Sequence, residues 1–376
     1  MAWGCPGPWM SRPGSCPTSW ASCQKQAQQV LGAWWSCRSK GRGSLLPQRE
    51  PSTARKRAGE AAEWKPSLQE RETLTPHPLM SASSMSSFLY YALPALGGYI
   101  LLSLFFLRWP RLLHVARNPA FRCQLAAHRG GSGERLENTM EALENSMAQR
   151  SDLFELDCQL TRDGQVVISH DENLFRQSGL NKNIQDVDYE DLPLYREELE
   201  VYFSPGQFVQ GSDRKMIRLE DIFQRFPQTP VSLEVKVEDE KLINKNPDMP
   251  TSFTVIRVIW LLLMYYGGLL PFFSIRERFL LCFLPTIINR TYFPFSCPAM
   301  NRLTAALSKR LIMRKSLIRH LEERGIQVVF WCLNEESDFE VAYRLGATGV
   351  MTDYPTALRH YLDNHPQQPN QSNSDR

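Results

Sequence analysis

Between Leu125 and Asp171 the charged residues of this chain gather at the ends of short apolar runs, the pattern of a parallel α/β fold that carries its site at the strand ends. Phe154, Leu156, Cys158 and Leu160 alternate with Glu155, Asp157, Gln159 and Thr161, the period of two expected of a strand. Asp163-Gly164 reads as a two-residue hairpin turn, after which Val166 to Ser169 resumes a strand. Counting outward from that turn pairs Arg162 with Gln165, Gln159 with Ile168 and Asp157 with His170. Opposed residues share a face with Cβ atoms roughly 5 Å apart, so Glu155, Asp157 and His170 are expected on one patch. Two carboxylates beside an imidazole suit a hard divalent cation with a proton-transfer group next to it.

A merely solvated hairpin face has the same pattern, and the hairpin alone does not separate the two readings. The segment upstream does. His128 and Arg129 end the apolar run Leu125 to Ala127, and Gly130-Gly131 then let backbone approach a ligand closely.

The series His128-Arg129-Gly130, Glu137-Asn138-Thr139, Glu155-Leu156-Asp157 and Ser169-His170-Asp171 resembles the glycerophosphodiester phosphodiesterase family, whose fold is a (β/α)8 TIM-type barrel. From about Phe88 onward the chain is similar to the mammalian membrane-anchored members that act as lysophospholipase D enzymes. The resemblance implies a divalent cation, Mg2+ or Ca2+, held by Glu155, Asp157 and Glu234, and a phosphate contacted by Arg129 and Lys236. Of the two imidazoles, His128 is assigned as base and His170 as acid, with His170 as a metal ligand left open. Glu137 and Asn138 belong to the supporting set, and Trp331 lines the pocket. The implied substrate is a lysophospholipid, losing choline or ethanolamine to leave lysophosphatidic acid. The alternative is a water-soluble glycerophosphodiester. The implied location is the endoplasmic reticulum or perinuclear membrane.

Residues 1–84 are rich in Ser, Pro, Gly, Gln and Arg and show no sustained apolar period, so they are expected to be disordered or an alternative N-terminal extension. Phe88 to Leu107 carries no charge and is followed by Arg108-Trp109-Pro110-Arg111, a transmembrane anchor with interfacial residues. The basic residues after it favour a cytosolic barrel, a weak constraint for a single span. A net charge of +3 gives no argument for nucleic acid, and none is expected as partner; the partners implied are the substrate and membrane lipid. The nine Cys have no zinc-like spacing.

The barrel is expected over residues 120–364, with a polar, disordered tail at 365–376. Gly133 to Arg150 reads as a helix holding Glu137 in its early part, and Val231 to Lys236 as a strand. Only residues 237–251, polar in character, separate Lys236 from the next strand-like run, Ser252 to Ile256. A parallel crossover needs about a dozen residues for its helix alone, so one strand-helix unit is expected to be missing, as in a splice variant. That loss leaves unpaired edges and raises an inactive, poorly folding membrane protein as a competing reading. Residues 258–275 form a second uncharged stretch, read either as a membrane-associated excursion or as a buried βα unit. Leu303 to Arg324 has helical spacing, and the strand-helix-strand run from Ile326 to Thr352 argues again for parallel α/β.

Overall fold

The computed structural model describes residues 2–4, 82–234 and 249–366. Lys236, most of the leading segment and the tail beyond residue 366 therefore lie outside the described residues.

The central sheet contains six parallel strands, formed where apolar runs meet glycine or polar stops. These are β2 (Leu125–His128), β3 (Leu153–Leu160), β7 (Val231–Glu234), β8 (Phe279–Phe283), β9 (Gln327–Trp331) and β10 (Gly349–Thr352). Their order is β7-β3-β2-β10-β9-β8, and β1 (Ala2–Gly4) pairs antiparallel with β7 at one edge. The first and last of the six parallel strands, β2 and β10, are thus neighbours, with Ala127 beside Thr352. Among the described residues the hydrogen-bonded path runs from β1 to β8 without closing. β4 (Val166–Ile168) pairs with β3, and β5 (Glu198–Glu200) with β6 (Phe208–Gln210) forms a separate hairpin.

The helices are α1 (Ala82–Arg108), α2 (Met140–Ala148), α3 (Phe175–Ser178), α4 (Leu219–Arg225), α5 (Val255–Tyr266), α6 (Pro298–Leu311), α7 (Lys315–Glu323), α8 (Glu336–Leu345) and α9 (Pro355–Asn364). Within α1, Leu89–Arg108 is long and apolar enough to cross a membrane, and its side chains are largely exposed. One core lies between β2, β3, β7 and α4, around Phe154, Leu156, Ile222 and Phe226; another joins β8, β9 and β10 to α7, α8 and α9 around Leu280, Val328, Phe330 and Leu321.

Several sequence expectations are corrected. Helix α2 starts at Met140, because the Thr139 side chain accepts the Ala142 N–H as N-cap, so Glu137 sits in the preceding loop. Thr254 caps α5 in the same way, so Val255 and Ile256 are helical rather than extended, and only Ser252 bridges to β8. The single helix expected over Leu303 to Arg324 is two, α6 and α7, broken at residues 312–314.

The hairpin register also differs by one residue. Cys158 faces Ile168, Thr161 donates to and pairs with Gln165, and the loop is three residues long, with Gly164 at φ +81°. A left-handed glycine at that position is the usual way to close a three-residue loop. Asp157 therefore faces Ser169, whose N–H donates to its carbonyl at 3.0 Å, and not His170.

Candidate active site

The C-terminal ends of β2, β3, β7 and β10 bring the polar residues together. Parallel register sets His128 beside Glu155 and Asp157 beside Glu234. Successive side chains of a strand alternate in facing, so Glu155 and Asp157 share one face. Ligand oxygens of Glu155, Asp157 and Glu234 lie within 4.8 Å of one another. Burial, then the charges of Asp157 and Glu234, raise the Glu155 carboxyl to about 7. Three acids gathered together, two of them buried and Glu234 half-buried, disfavour their own ionised forms, and an all-oxygen donor set of that charge fits a hard divalent cation.

A second group, His128, Cys332 and Asp353, also converges, but it is built differently. Burial and Asp353 push the Cys332 thiol well up, and Asp353 is already committed to His128. His128 Nδ1 and Asp353 Oδ1 are 2.6 Å apart, and the other imidazole nitrogen, Nε2, lies 3.9 Å from Glu155 Oε2. Ser132 Oγ and Asn334 Nδ2 donate to the two oxygens of Asp353 at 2.5 and 2.7 Å. Burial alone would raise this carboxyl; His128 and these donors hold it at about 2. Burial, the largest single influence, lowers the His128 imidazole, but the Asp353 charge and hydrogen bond, with the Glu155 charge, together outweigh it, so the net direction is up. This is an oriented imidazole rather than a metal centre.

Arg129 follows in the left-handed region, at φ 48°, which turns its side chain inward after the strand ends. Its guanidinium is buried, with Nη1 donating to Glu137 Oε2 at 3.0 Å and Nε 3.9 Å from Asp157 Oδ2. Nε makes no hydrogen bond among the described residues, and neither does the amide of Asn138, which is fully buried at φ 59°. Buried donors without partners are costly, and such positions mark where a ligand supplies the missing bond.

Glu137 joins the two halves of the site. It accepts from Arg129, from Arg176 Nη2 at 2.5 Å and from Gln177 Nε2 at 3.0 Å. Burial opposes its ionisation, but the two guanidinium groups win and hold it at about 2. Arg176 continues to Asp171 at 2.6 Å, and Asp171 Oδ1 lies 2.7 Å from His170 Nδ1. His170 is thus tied in through this chain of ions rather than through the hairpin face, and the converging carboxylate set does not include it.

The excursion between α3 and α4 supplies a roof. The Tyr202 ring lies 5.7 Å from His170 and 5.1 Å from the Arg129 guanidinium carbon, and the Phe203 ring lies 5.4 Å from His128. Phe203 packs in turn on Tyr292 and on Trp331, which stands at the end of β9. Sequence reasoning missed Asp353, Asn334, Ser132 and Arg176. Asp353 carries the signal that selected His128, an acid at the end of an apolar strand; Arg176 carries none.

Residues 128–262 match the model of the glycerophosphoryl diester phosphodiesterase family. Lysophospholipase D GDPD3 of Homo sapiens is 66% identical over 311 residues, covering 75% of this chain and 98% of that protein. Lysophospholipase D GDPD1 of Homo sapiens is 40% identical over 305 residues, 73% of this chain and 97% of its own. The crystal structure of glycerophosphodiester phosphodiesterase from Thermotoga maritima aligns over 65% of this chain and 100% of its own at 18% identity, with a TM-score of 0.43, too loose for residue-level comparison. With relatives this similar matched over almost their whole length, the chain belongs to the glycerophosphoryl diester phosphodiesterase family.

Proposed function

We propose that the chain is a divalent-metal-dependent lysophospholipase D, releasing choline or ethanolamine from a lysophospholipid and leaving lysophosphatidic acid. The observation that carries this reading is the convergence of Glu155, Asp157 and Glu234 beside the oriented His128, in a chain whose relatives at 66% and 40% identity are named lysophospholipase D. The three carboxylates hold the cation, Mg2+ or Ca2+, which when bound neutralises the phosphodiester and stabilises charge growing on its oxygens. Arg129, through its Nε–H, and Lys236 take the phosphate, the first with a directed hydrogen bond from a fixed guanidinium and the second as a point charge.

His128, with Nδ1 engaged by Asp353, uses Nε2 to remove the proton of the glycerol hydroxyl next to the phosphate. His170, held by Asp171 and Tyr202, gives a proton to the departing head-group oxygen. Attack by that hydroxyl forms a cyclic phosphate, which water opens, and only a lysolipid or deacylated diester has the hydroxyl free. Glu137 and Asn138 position Arg129, and Trp331 backs Phe203.

Helix α1 anchors the chain in a membrane, probed by extraction at alkaline pH. The outward Val255, Ile256, Ile259 and Leu263 of α5 support lipid contact for residues 258–275, which photolabelling from within the bilayer would mark. We assign the open sheet path to a TIM-type barrel short of one strand-helix unit after β7, and that same openness favours the second reading, an inactive variant.

Choline release by the purified full-length chain from lysophosphatidylcholine and from glycerophosphocholine, with Mg2+, Ca2+ or chelator, tests all of this. Faster release from the lysolipid, lost on chelation, is the expected result. Preference for glycerophosphocholine would transfer the assignment to water-soluble diesters, and no release with either metal would leave the inactive reading.

A further inference from the structure

At the opposite end of the parallel sheet from the carboxylates, a cavity of about 1070 Å³ opens beneath the starts of β9 and β10, lined there by residues 325–327 and by Gly346 and Thr348. Seven basic and two acidic side chains face it. Arg319 is paired with Glu323 at 2.7 Å and Arg344 with Glu340 at 2.6 Å. Arg111, Arg122 and Lys315 have no carboxylate partner among the described residues, and among these the basic side chains of the cavity outnumber the acidic ones. Burial, then Arg117, lowers Arg324 to about 10, and burial with Arg324 and His114 nearby lowers His320 to about 4.

The other wall is apolar and belongs to the end of α1. Leu104 and Leu107 line the cavity, and this last turn is fixed to the domain: Ser103 Oγ donates to Gly268 O at 2.7 Å, Phe106 packs on Phe272, and His320 Nδ1 lies 3.1 Å from Leu107 O. Leucines next to a cluster of basic side chains, at the point where an apolar helix ends in Arg108 and Trp109, are the chemistry of an amphiphile with an acidic head. A free anion would use the cations and leave the leucines without purpose.

We propose that this cavity binds the phosphomonoester head group of an anionic membrane lipid, separately from the catalytic centre, with its acyl chains lying along the end of α1. Arg111, Arg122 and Lys315 contact the phosphate, and the lipid wedges the anchor against α7. The site rests on reading α1 as a membrane anchor, which alkaline extraction tests independently of lipid binding.

The experiment is thermal melting of the detergent-purified full-length chain with dioctanoyl phosphatidic acid, dioctanoyl phosphatidylcholine or inorganic phosphate. Diacyl lipids lack the free hydroxyl needed for turnover and are not consumed; binding at the catalytic centre would show as inhibition of lysophosphatidylcholine turnover and as a shift that Arg111→Gln, Arg122→Gln and Lys315→Gln leave unchanged. Phosphatidic acid is expected to raise the melting temperature saturably, and the other two are not. Lys315→Gln should weaken its apparent affinity about fivefold, and Arg111→Gln with Arg122→Gln more, in line with one surface charge each. Turnover of lysophosphatidylcholine in neutral detergent should stay at the wild-type rate. Equal stabilisation by inorganic phosphate would replace the lipid with a simple anion; a shift unchanged in the variants, or no shift at all, would overturn the site.

Discussion

His128 reaches Asp353 across the junction of β2 and β10, and this contact decides how the imidazole can act. A carboxylate held at about 2 stays ionised at every working pH, so it fixes the tautomer that leaves Nε2 open. Asp353→Asn keeps the shape and removes that charge; turnover should fall by about 100-fold or more while the cation still protects against melting, measured as kcat alongside metal-dependent melting. His320 makes a prediction of the opposite kind. Its folded-state imidazole is held near 4 against an ordinary 6.5, mainly by burial, so the unfolded chain binds the proton more readily. Its stabilising contribution, about 3 kcal/mol, is complete above pH 6.5 and is lost as the pH falls toward 4. In melts from pH 7 to pH 5, His320→Gln should flatten the pH slope relative to wild type; an unchanged slope would show that other groups set it.

At the scale of elements, what could be read from the sequence was what periodicity writes. The alternation in Leu153–Leu160 is local, and it stands where the pattern puts it. Register is not local: a single left-handed residue, Gly164, turned a two-residue loop into three and moved His170 off the face of Asp157. The arrangement of His128, Glu155, Asp157 and Glu234 survived that error because it depends on parallel pairing between separate strands, not on the hairpin. Arg176 was invisible, since nothing nearby in sequence marks it as the bridge between Glu137 and Asp171. Gly131 tests the loop after β2. It has φ +94°, and a Cβ there would lie 2.9 Å from Pro355 Cγ and from Ser146 Oγ. Gly131→Ala should cost about 2 kcal/mol of stability, read from denaturant midpoints, whereas Gly164→Ala, with open space around it, should cost about 1 kcal/mol from its backbone alone.

For the whole molecule, the buried carboxylates mean that the folded chain without its cation holds self-repelling charge. Adding Mg2+ or Ca2+ should raise the melting temperature in step with the logarithm of its concentration, with about 2.7 kcal/mol of added stability at a hundred times the dissociation constant, and Glu155→Gln with Glu234→Gln should abolish the effect. The sheet joins the earliest of its parallel strands to the latest, with Ala127 against Thr352, and the acid that contacts the His128 imidazole comes only after that final strand. A nascent chain emerging from the ribosome therefore possesses its carboxylates and its arginine long before it possesses a working base. With His128 as the proposed base, such a chain should stay inactive until the end of synthesis, and any protein cut short of β10 should be inert however well the rest of it folds.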